Sequence, residues 1–237
     1  MKTALCCIAK NEDRYIHEWV DYHLKLGFDK IYIYCDDWLC PVEESHNVTI
    51  ISLRGVSHPQ LPAYNHFLDC LANPYDYVMF LDVDEFLVLK KHATVKEFLY
   101  GRNESIGINW VLFGDNGLTD DGSNGVLKRF TCSQGSPNKH IKSLVRVTEG
   151  VKMQTPHNPY GQWRGSDGLL HKWAFCPDGN TDEAQVNHYF CKTREEWKQK
   201  QARGMADNGD VRPDSDFDRH NFNEIEDFSA LDFFYSE

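Results

Sequence analysis

The stretch YVMFLDVDEF (residues 77–86) joins an apolar run to a group of carboxylates, and it decides the fold that we expect. Five uninterrupted apolar residues, YVMFL, are typical of a strand that is buried on both faces. Upstream, strands are predicted at TALCCIA (3–9), KIYIYC (30–35) and residues 48–53, with a helix from Ile16 to the glycine at 27 and another at 61–71. This alternation predicts an α/β fold whose mostly parallel central sheet carries helices on both faces.

Polar residues directly follow three of the predicted strands. Asn11 and Glu12 follow the first strand, Asp36 and Asp37 follow the second, and residues 82–85 (DVDE) follow the fourth. Ligands of parallel α/β sheets bind beyond the carboxyl ends of the strands. We therefore expect these side chains to meet at one edge of the sheet and to form a binding site there.

The DVDE segment carries the sharpest chemical signal. Asp82 and Asp84 are two residues apart, so on an extended chain they point to the same side. Two close carboxylates repel each other unless a cation lies between them, and Mg²⁺ or Mn²⁺ suits such oxygen ligands. A solvated turn is the alternative interpretation, but the position after a buried strand favours a metal site. A neutral His188 is a candidate third ligand, although a single histidine is more often an ordinary core or surface residue.

The second half of the chain is less regular. Strands are predicted at 106–113 and 144–147, and capping boxes at residues 94–97 and 193–196 each open a helix. Trp163 lies between two glycines in a loop with few apolar neighbours, so we interpret it as a mobile lid. Residues 207–237 are acidic and aromatic, and we interpret them as an acidic C-terminal tail. No repeat or linker divides the chain, which favours a single domain.

Charge and composition exclude several classes of protein. The 237 residues include 36 acidic and 25 basic side chains, giving a net charge of -11, whereas a protein that binds a nucleic-acid backbone needs the opposite sign. The hydrophobic fraction of 41% supplies a core and excludes disorder. No apolar run approaches the roughly 18 residues of a membrane span, and no secretory signal is recognisable. We expect a cytosolic protein with reduced cysteines and, at most, peripheral membrane contact.

Four motifs, in this order, carry a family resemblance: CCIAKNEDRYIHEWVDYHLKLGFDKIYIYCDD (6–37), FLDVDEF (80–86), NWVLFGDNG (109–117) and NHYFCKTREEW (187–197). Over most of residues 1–205 the chain resembles glycosyltransferase family 92 and related family 2-like enzymes. The resemblance implies the GT-A fold in one domain over residues 1–237. It divides that domain into a nucleotide-sugar and metal half (1–113), an acceptor half (114–206) and the acidic tail (207–237).

The resemblance also implies a reaction and a set of site residues. The reaction is metal-dependent transfer of a sugar from a nucleotide sugar, foremost a UDP-sugar, to a glycan or another hydroxyl acceptor, with Mn²⁺ or Mg²⁺ as cofactor. The implied donor contacts are Ala9, Glu12, Asp37, Arg54, Asp82 and, by a looser match, Lys142. The implied metal ligands are Asp82, Asp84 and His188. The acceptor side is assigned to Trp110, Phe113 and Gly114, to which we add the predicted lid residue Trp163.

An inverting transfer needs a carboxylate that takes the proton of the acceptor hydroxyl. Asp115, which follows the acceptor motif, is the candidate, with Asp214, Asp216 and Asp218 as alternatives; a retaining enzyme would need no such base. An Asx turn before Gly117 is the competing interpretation of Asp115. Two other functions stay open. A nucleotidyltransferase acting on sugar phosphates would require a Gly-rich loop after the first strand, and a non-catalytic carbohydrate- or nucleotide-binding module would not need the paired carboxylates.

Overall fold

The first half of the chain alternates strands and helices. The structure is a computed structural model that describes residues 1–36, 40–53, 55–119, 122, 124–205 and 210–236. Its first elements are β1 (Thr3–Ala9), α1 (Ile16–Lys25), β2 (Lys30–Cys35), β3 (Val48–Ser52), α2 (Gln60–Cys70), β4 (Tyr77–Phe80), β5 (Glu85–Leu89) and α3 (Val95–Leu99). The predicted bounds of β1 and β2 are confirmed, those of β3 and β4 differ by one residue at one end, and α2 begins and ends one residue earlier than predicted. Strand β5 was not predicted, because it begins within the carboxylate motif.

The second half contains shorter elements. They are β6 (Ile106–Leu112), α4 (Val126–Arg129), β7 (Cys132–Ser133), β8 (Ile141–Arg146), β9 (Trp163–Arg164), β10 (Leu170–His171), β11 (Ala184–His188), α5 (Arg194–Arg203), α6 (Ser215–His220), β12 (Ile225–Glu226) and α7 (Ser229–Tyr235). The capping box of α5 is formed: Thr193 accepts from the backbone N–H of Glu196, and the Glu196 side chain accepts from that of Thr193. Within the described part of the chain, no helix has the length and apolar character needed to cross a bilayer.

The described strands include a ten-stranded mixed sheet. Strands β3, β2, β1 and β4 lie side by side and run parallel. Strand β8 then runs antiparallel between β4 and β6, and β11 pairs in parallel with β6 and antiparallel with β5. The α/β prediction is confirmed, but the parallel arrangement dominates only the first half. Parallel neighbours need long crossover connections, usually helical, and the second half has few helices between its strands.

Helices cover both faces of the parallel half. Alternate side chains of β1 point to opposite faces of the sheet and enter two separate cores. Leu5 and Cys7 share one core with Trp19 of α1. Ala4 and Cys6 share the other with the aromatic face of α2. The sheet is therefore buried on both sides, which is why β1 and β4 consist almost entirely of apolar residues.

Trp163 is a core residue, and its prediction as a mobile lid is wrong. Its side chain is fully buried in β9, where it packs with Ile141 and Cys176. Gly107 of β6 makes room for the indole, because a Cβ at that position would lie 2.2 Å from the ring. The apolar neighbours of Trp163 come from strands that are distant in sequence. For that reason the local loop composition was misleading.

The described part of the acidic C-terminal segment packs against the sheet domain. Strand β12 pairs with β7. The rings of Phe233 and Phe234 in α7 lie 5.2 and 5.9 Å from the ring of Tyr22. Lys25 donates to the carbonyl of Phe234 at 3.1 Å. Aromatic residues spaced among the acids allow this segment to bury apolar surface.

A buried ion pair connects α5 to α4 and to the start of α1. Arg129 Nη2 lies 3.2 Å from Glu196 Oε2, and the two side chains are 5% and 8% exposed. Tyr15 donates a hydrogen bond to the same carboxylate, and Arg14 lies 3.4 Å from it. Burial alone would raise the pKa of Glu196, but hydrogen bonds from Tyr15, Arg129 and Thr193 lower it below its ordinary value.

We expect Glu196→Gln to lower the free energy of unfolding by about 3 kcal/mol at neutral pH, because Arg129 would stay buried without its counter-charge. A carboxyl whose folded-state pKa is lowered stabilises the fold above its unfolded pKa of about 4.3. That stabilisation is lost as the pH falls through the folded-state pKa. The difference between wild type and variant should therefore shrink in acid, as measured by urea unfolding at several pH values. Glu195→Gln, on the exposed side of the same turn, is the control. A pH-independent difference, or an equal loss in the control, would contradict the assignment.

Candidate active site

A cavity of about 570 Å³ opens at the carboxyl ends of the parallel strands. Ala9 ends β1, Asp36 follows β2 and Asp82 follows β4, and all three line this cavity. The other described acids of its wall are Glu12 and Asp84. The polar clusters that follow separate strands thus meet at one edge of the sheet.

The loop after β1 places one of the predicted donor residues in the wall. Asn11 adopts a left-handed backbone conformation with φ of 53°, which asparagine tolerates better than most residues. The chain turns there, and Glu12 forms an ion pair with Arg203 of α5. Two further predicted donor residues, Asp37 and Arg54, lie outside the described residues.

Lys142 lies at the base of the cavity between two carboxylates. Its Nζ is 3.1 Å from both Asp82 Oδ2 and Glu85 Oε2, and its side chain is 1% exposed. Burial opposes the charge of this amine, but the two carboxylates raise its pKa above the ordinary value. Burial, together with the charges of Asp82 and Asp84, raises the pKa of Glu85 to about 8 despite the nearby Lys142. Lys142 thus holds the DVDE turn, and its predicted contact with the donor stays a prediction.

Asp84 faces a histidine with one oxygen and a lysine with the other. Its Oδ1 lies 3.6 Å from His188 Nε2, and its Oδ2 accepts from Lys200 Nζ at 2.7 Å. Burial would raise the pKa of Asp84, but Lys200 and His188 lower it well below its ordinary value. Burial lowers the pKa of His188 to about 3 against the opposing effect of Asp84. Therefore the imidazole is neutral at physiological pH and keeps a lone pair for a ligand.

The backbone of the DVDE motif is a turn, which corrects the expectation of an extended chain. The N–H of Glu85 donates to the carbonyl of Asp82 at 3.0 Å. The two aspartates are therefore not a same-side pair on a strand. Each reaches the cavity wall with a different cation beside it, the buried Lys142 for Asp82 and the mostly buried Lys200 for Asp84.

The chemistry of Asp84 and His188 fits a divalent cation. Ligand atoms that each lie about 2.1 Å from one ion are separated by at most about 4 Å, so Asp84 Oδ1 and His188 Nε2 are within reach of a common ion. His188 Nδ1 faces Glu85 Oε1 at 3.9 Å, and both atoms are buried without a hydrogen-bond partner among the described residues. A histidine that binds a metal through one ring nitrogen typically contacts a carboxylate through the other.

Asp82 is placed differently from the other two predicted ligands. Among the described residues, Asp82, Asp84 and His188 do not form a group of three ligand atoms that all lie within 4.8 Å of one another. Two protein ligands suffice for Mg²⁺, which usually takes one or two carboxylates and completes its shell with water and phosphate oxygens. Asp82 accepts from Gln60 at 2.7 Å and belongs to the cavity wall.

The cavity wall is not acidic, although the chain carries a net charge of -11. Its described side chains include five basic and four acidic ones: Lys10, Lys142, Lys200, Arg203 and Arg212 against Glu12, Asp36, Asp82 and Asp84. Each of the four acids has a basic partner within 4.0 Å. The three basic residues at 200, 203 and 212 were not predicted from the sequence. The capping box that sets the phase of α5 was the available signal, because it places residues 200 and 203 on one helix face.

The residues predicted for the acceptor side separate in the structure. The Trp110 ring lies against the cavity with its centroid 4.4 Å from that of His188. Phe113 is fully buried and packs on Tyr189. A Cβ at Gly114 would lie 2.4 Å from the carbonyl oxygen of residue 222, so packing alone explains this glycine. Among these motif residues, the described cavity wall includes Trp110 but neither of the other two.

The predicted catalytic bases do not line the described cavity wall. Asp115 Oδ1 accepts from the N–H of Gly117 at 2.9 Å, which is the Asx turn named above as the competing interpretation. The alternatives lie at α6: Asp214 and Asp218 pair with Arg194, and Asp216 lies 3.7 Å from an arginine one turn later. The catalytic roles of all four stay predictions.

No family model matches the chain, but its sequence is similar to several proteins named as glycosyltransferase family 92. It is 27% identical over 217 residues to a glycosyltransferase family 92 protein of Ricinus communis, covering 82% of this chain and 36% of that protein. A family 92 protein of Arabidopsis thaliana is 25% identical over 227 residues, with 85% and 37% covered. One of Oryza sativa subsp. japonica is 28% identical over 154 residues, with 60% and 26% covered.

The chain resembles glycosyltransferase family 92. The resemblance inferred from the ordered motifs is therefore confirmed. In the three relatives named above, the chain spans between 26% and 37% of the length of the relative.

We expect Lys142→Met to lower the free energy of unfolding by about 2 kcal/mol, because it leaves the buried Glu85 and the partly exposed Asp82 without the cation that contacts both. Lys139→Met is the matched control, since Lys139 is exposed on the same segment and lies over the ring of Phe175. Urea unfolding followed by circular dichroism measures both. Equal stability of the two variants would show that Lys142 does not hold the turn.

Proposed function

We propose that this chain is a metal-dependent glycosyltransferase with the GT-A arrangement, which transfers a sugar from a UDP-sugar to a hydroxyl of a glycan or similar acceptor with inversion. The observation that carries the proposal is the cavity at the strand ends, where the neutral imidazole of His188 faces Asp84 within a wall of mixed charge. A purely acidic wall would repel a diphosphate. A wall with a metal-ligand pair and one more basic than acidic side chain accommodates one. The family resemblance supports the class of reaction.

The residues of the cavity would have different roles in binding the donor. Asp84 and His188 would hold Mn²⁺ or Mg²⁺, which when bound offsets the negative charge on the departing nucleotide diphosphate. Arg203 and Arg212 enter the wall from the α5 side, where their fixed positive charge suits phosphate oxygens. Trp110 packs against His188 with ring centroids 4.4 Å apart and helps to keep bulk water away from the imidazole.

The decisive test measures UDP binding by calorimetry with Mn²⁺ and with a chelator, and donor hydrolysis with a panel of nucleotide sugars. We expect Mn²⁺-dependent UDP binding in the wild type. In Asp84→Asn it should weaken by at least about tenfold, because one ligand of the ion is weakened. Asp69→Asn removes an exposed carboxylate outside the cavity and should bind as the wild type does.

Three results would overturn the proposal. The first is UDP affinity that ignores Mn²⁺ in a folded sample. The second is an Asp84→Asn variant that is folded by circular dichroism and binds like the wild type, which would favour a non-catalytic module. The third is release of pyrophosphate from a nucleoside triphosphate and a sugar phosphate, which would favour a nucleotidyltransferase.

Asp115→Asn separates the two interpretations of Asp115. Asparagine keeps an acceptor oxygen for the Asx turn with Gly117 but cannot take a proton. Because the structure commits this carboxylate to the turn, we expect donor and acceptor turnover close to that of the wild type. A loss of about 100-fold or more in kcat with the fold intact would instead identify Asp115 as the base.

A further inference from the structure

A second group of ligand-type side chains lies outside the residues that line the cavity. Asp167, His171 and Cys176 each offer one atom, and the three atoms lie within 4.8 Å of one another. His171 Nε2 is 2.9 Å from Asp167 Oδ2 and 3.7 Å from Cys176 Sγ. None of the three is among the residues of the cavity wall, and the family motifs quoted above do not include them.

The three residues are positioned by backbone contacts to the sheet. His171 in β10 pairs with Trp163 in β9, and the two rings stack with centroids 4.9 Å apart. The N–H of Cys176 donates to the carbonyl of Lys139 at 2.8 Å. Asp167 accepts from the N–H two residues later at 3.0 Å, which holds its carboxylate toward the histidine. The convergence of the ligand atoms is thus set by the fold.

The position next to the cluster has room only for glycine. A Cβ at Gly165 would meet one atom from each of the three residues: Asp167 Oδ1 at 2.5 Å, Cys176 Sγ at 2.8 Å and His171 Cδ2 at 2.9 Å. The backbone angle φ of Gly165 is not among the positive values. Space around the cluster therefore accounts for the glycine, independently of the ligand distances.

The order of contacts excludes a nucleophilic triad. In such a triad the carboxylate binds one ring nitrogen and the nucleophile the other. Here Asp167 and Cys176 both face the same nitrogen, Nε2 of His171. Three different ligand atoms that converge on one point are the arrangement expected around a cation.

We propose that Asp167, His171 and Cys176 bind a Zn²⁺ ion. Zinc is the metal that accepts sulfur, nitrogen and oxygen ligands together, and three protein ligands leave a fourth position for water. Around a tetrahedral zinc the ligand atoms lie about 3.3–3.6 Å apart. The nitrogen–sulfur separation of 3.7 Å is near this range, and the nitrogen–oxygen separation of 2.9 Å would widen when the ion replaces the proton between the two atoms. The ion would fasten residues 163–176, whose strands β9 and β10 have two residues each, onto β6 and β8.

The test uses the purified chain with Zn²⁺ and Co²⁺ as probes. After equilibration with zinc and desalting, elemental analysis should show one more zinc per chain in the wild type than in Cys176→Ser. Replacement by Co²⁺ should give the near-ultraviolet charge-transfer band of a cobalt thiolate, and this band should be absent from Cys176→Ser. Cys70→Ser, which changes an exposed cysteine, should keep both signals.

Three further variants make the result interpretable. Asp84→Asn should retain the zinc and the cobalt band, so this site and the proposed catalytic site can fail separately. If Cys176→Ser does not fold, His171→Ala and Asp167→Asn serve in its place, and each should lose the band. The proposal is overturned if the folded wild type shows no thiolate band, if the band persists in the ligand variants, or if zinc content is equal in wild type and variants.

Discussion

The buried ammonium group of Lys142 lies where the sheet of this protein meets its candidate active site. Lys142, on β8, contacts both Asp82 and Glu85, and so it joins the antiparallel half of the sheet to the turn that follows β4. A buried ammonium group is tolerated only with counter-charges and hydrogen bonds. The turn that presents Asp84 therefore depends on a residue some sixty positions further along the chain.

The same rule of paired charges extends over the whole cavity wall. Helix α5 contributes Lys200 to Asp84 and Arg203 to Glu12, while its first turn binds Arg129 through Glu196. One helix thus supplies basic partners to the site on one side and is fixed by a buried ion pair on another. The wall that results is close to neutral, with five basic and four acidic side chains among its described residues.

Local pattern was sufficient for the parallel half of the fold. The apolar runs of β1, β2 and β4 are buried on both faces, so each strand is readable from its own residues. The same holds for the capping box of α5, a contact between neighbours in sequence. Predictions failed where a side chain is buried by parts of the chain that are distant from it in sequence. Trp163 looks exposed in its own loop and is enclosed by β6, β8 and Cys176.

By itself, the sequence determined the α/β class, the strands that end at the polar clusters, and the edge at which Asp82, Asp84 and Glu12 meet. These features follow from hydrophobic periodicity and from the common direction of parallel strands. Only the tertiary structure decided which basic side chain pairs with each carboxylate of the cavity wall. It also decided that Asp115 closes a turn and that Asp167, His171 and Cys176 converge. Those contacts depend on how β8, α5 and the β9–β10 hairpin pack, and such packing is set by side-chain shape and charge over the whole chain.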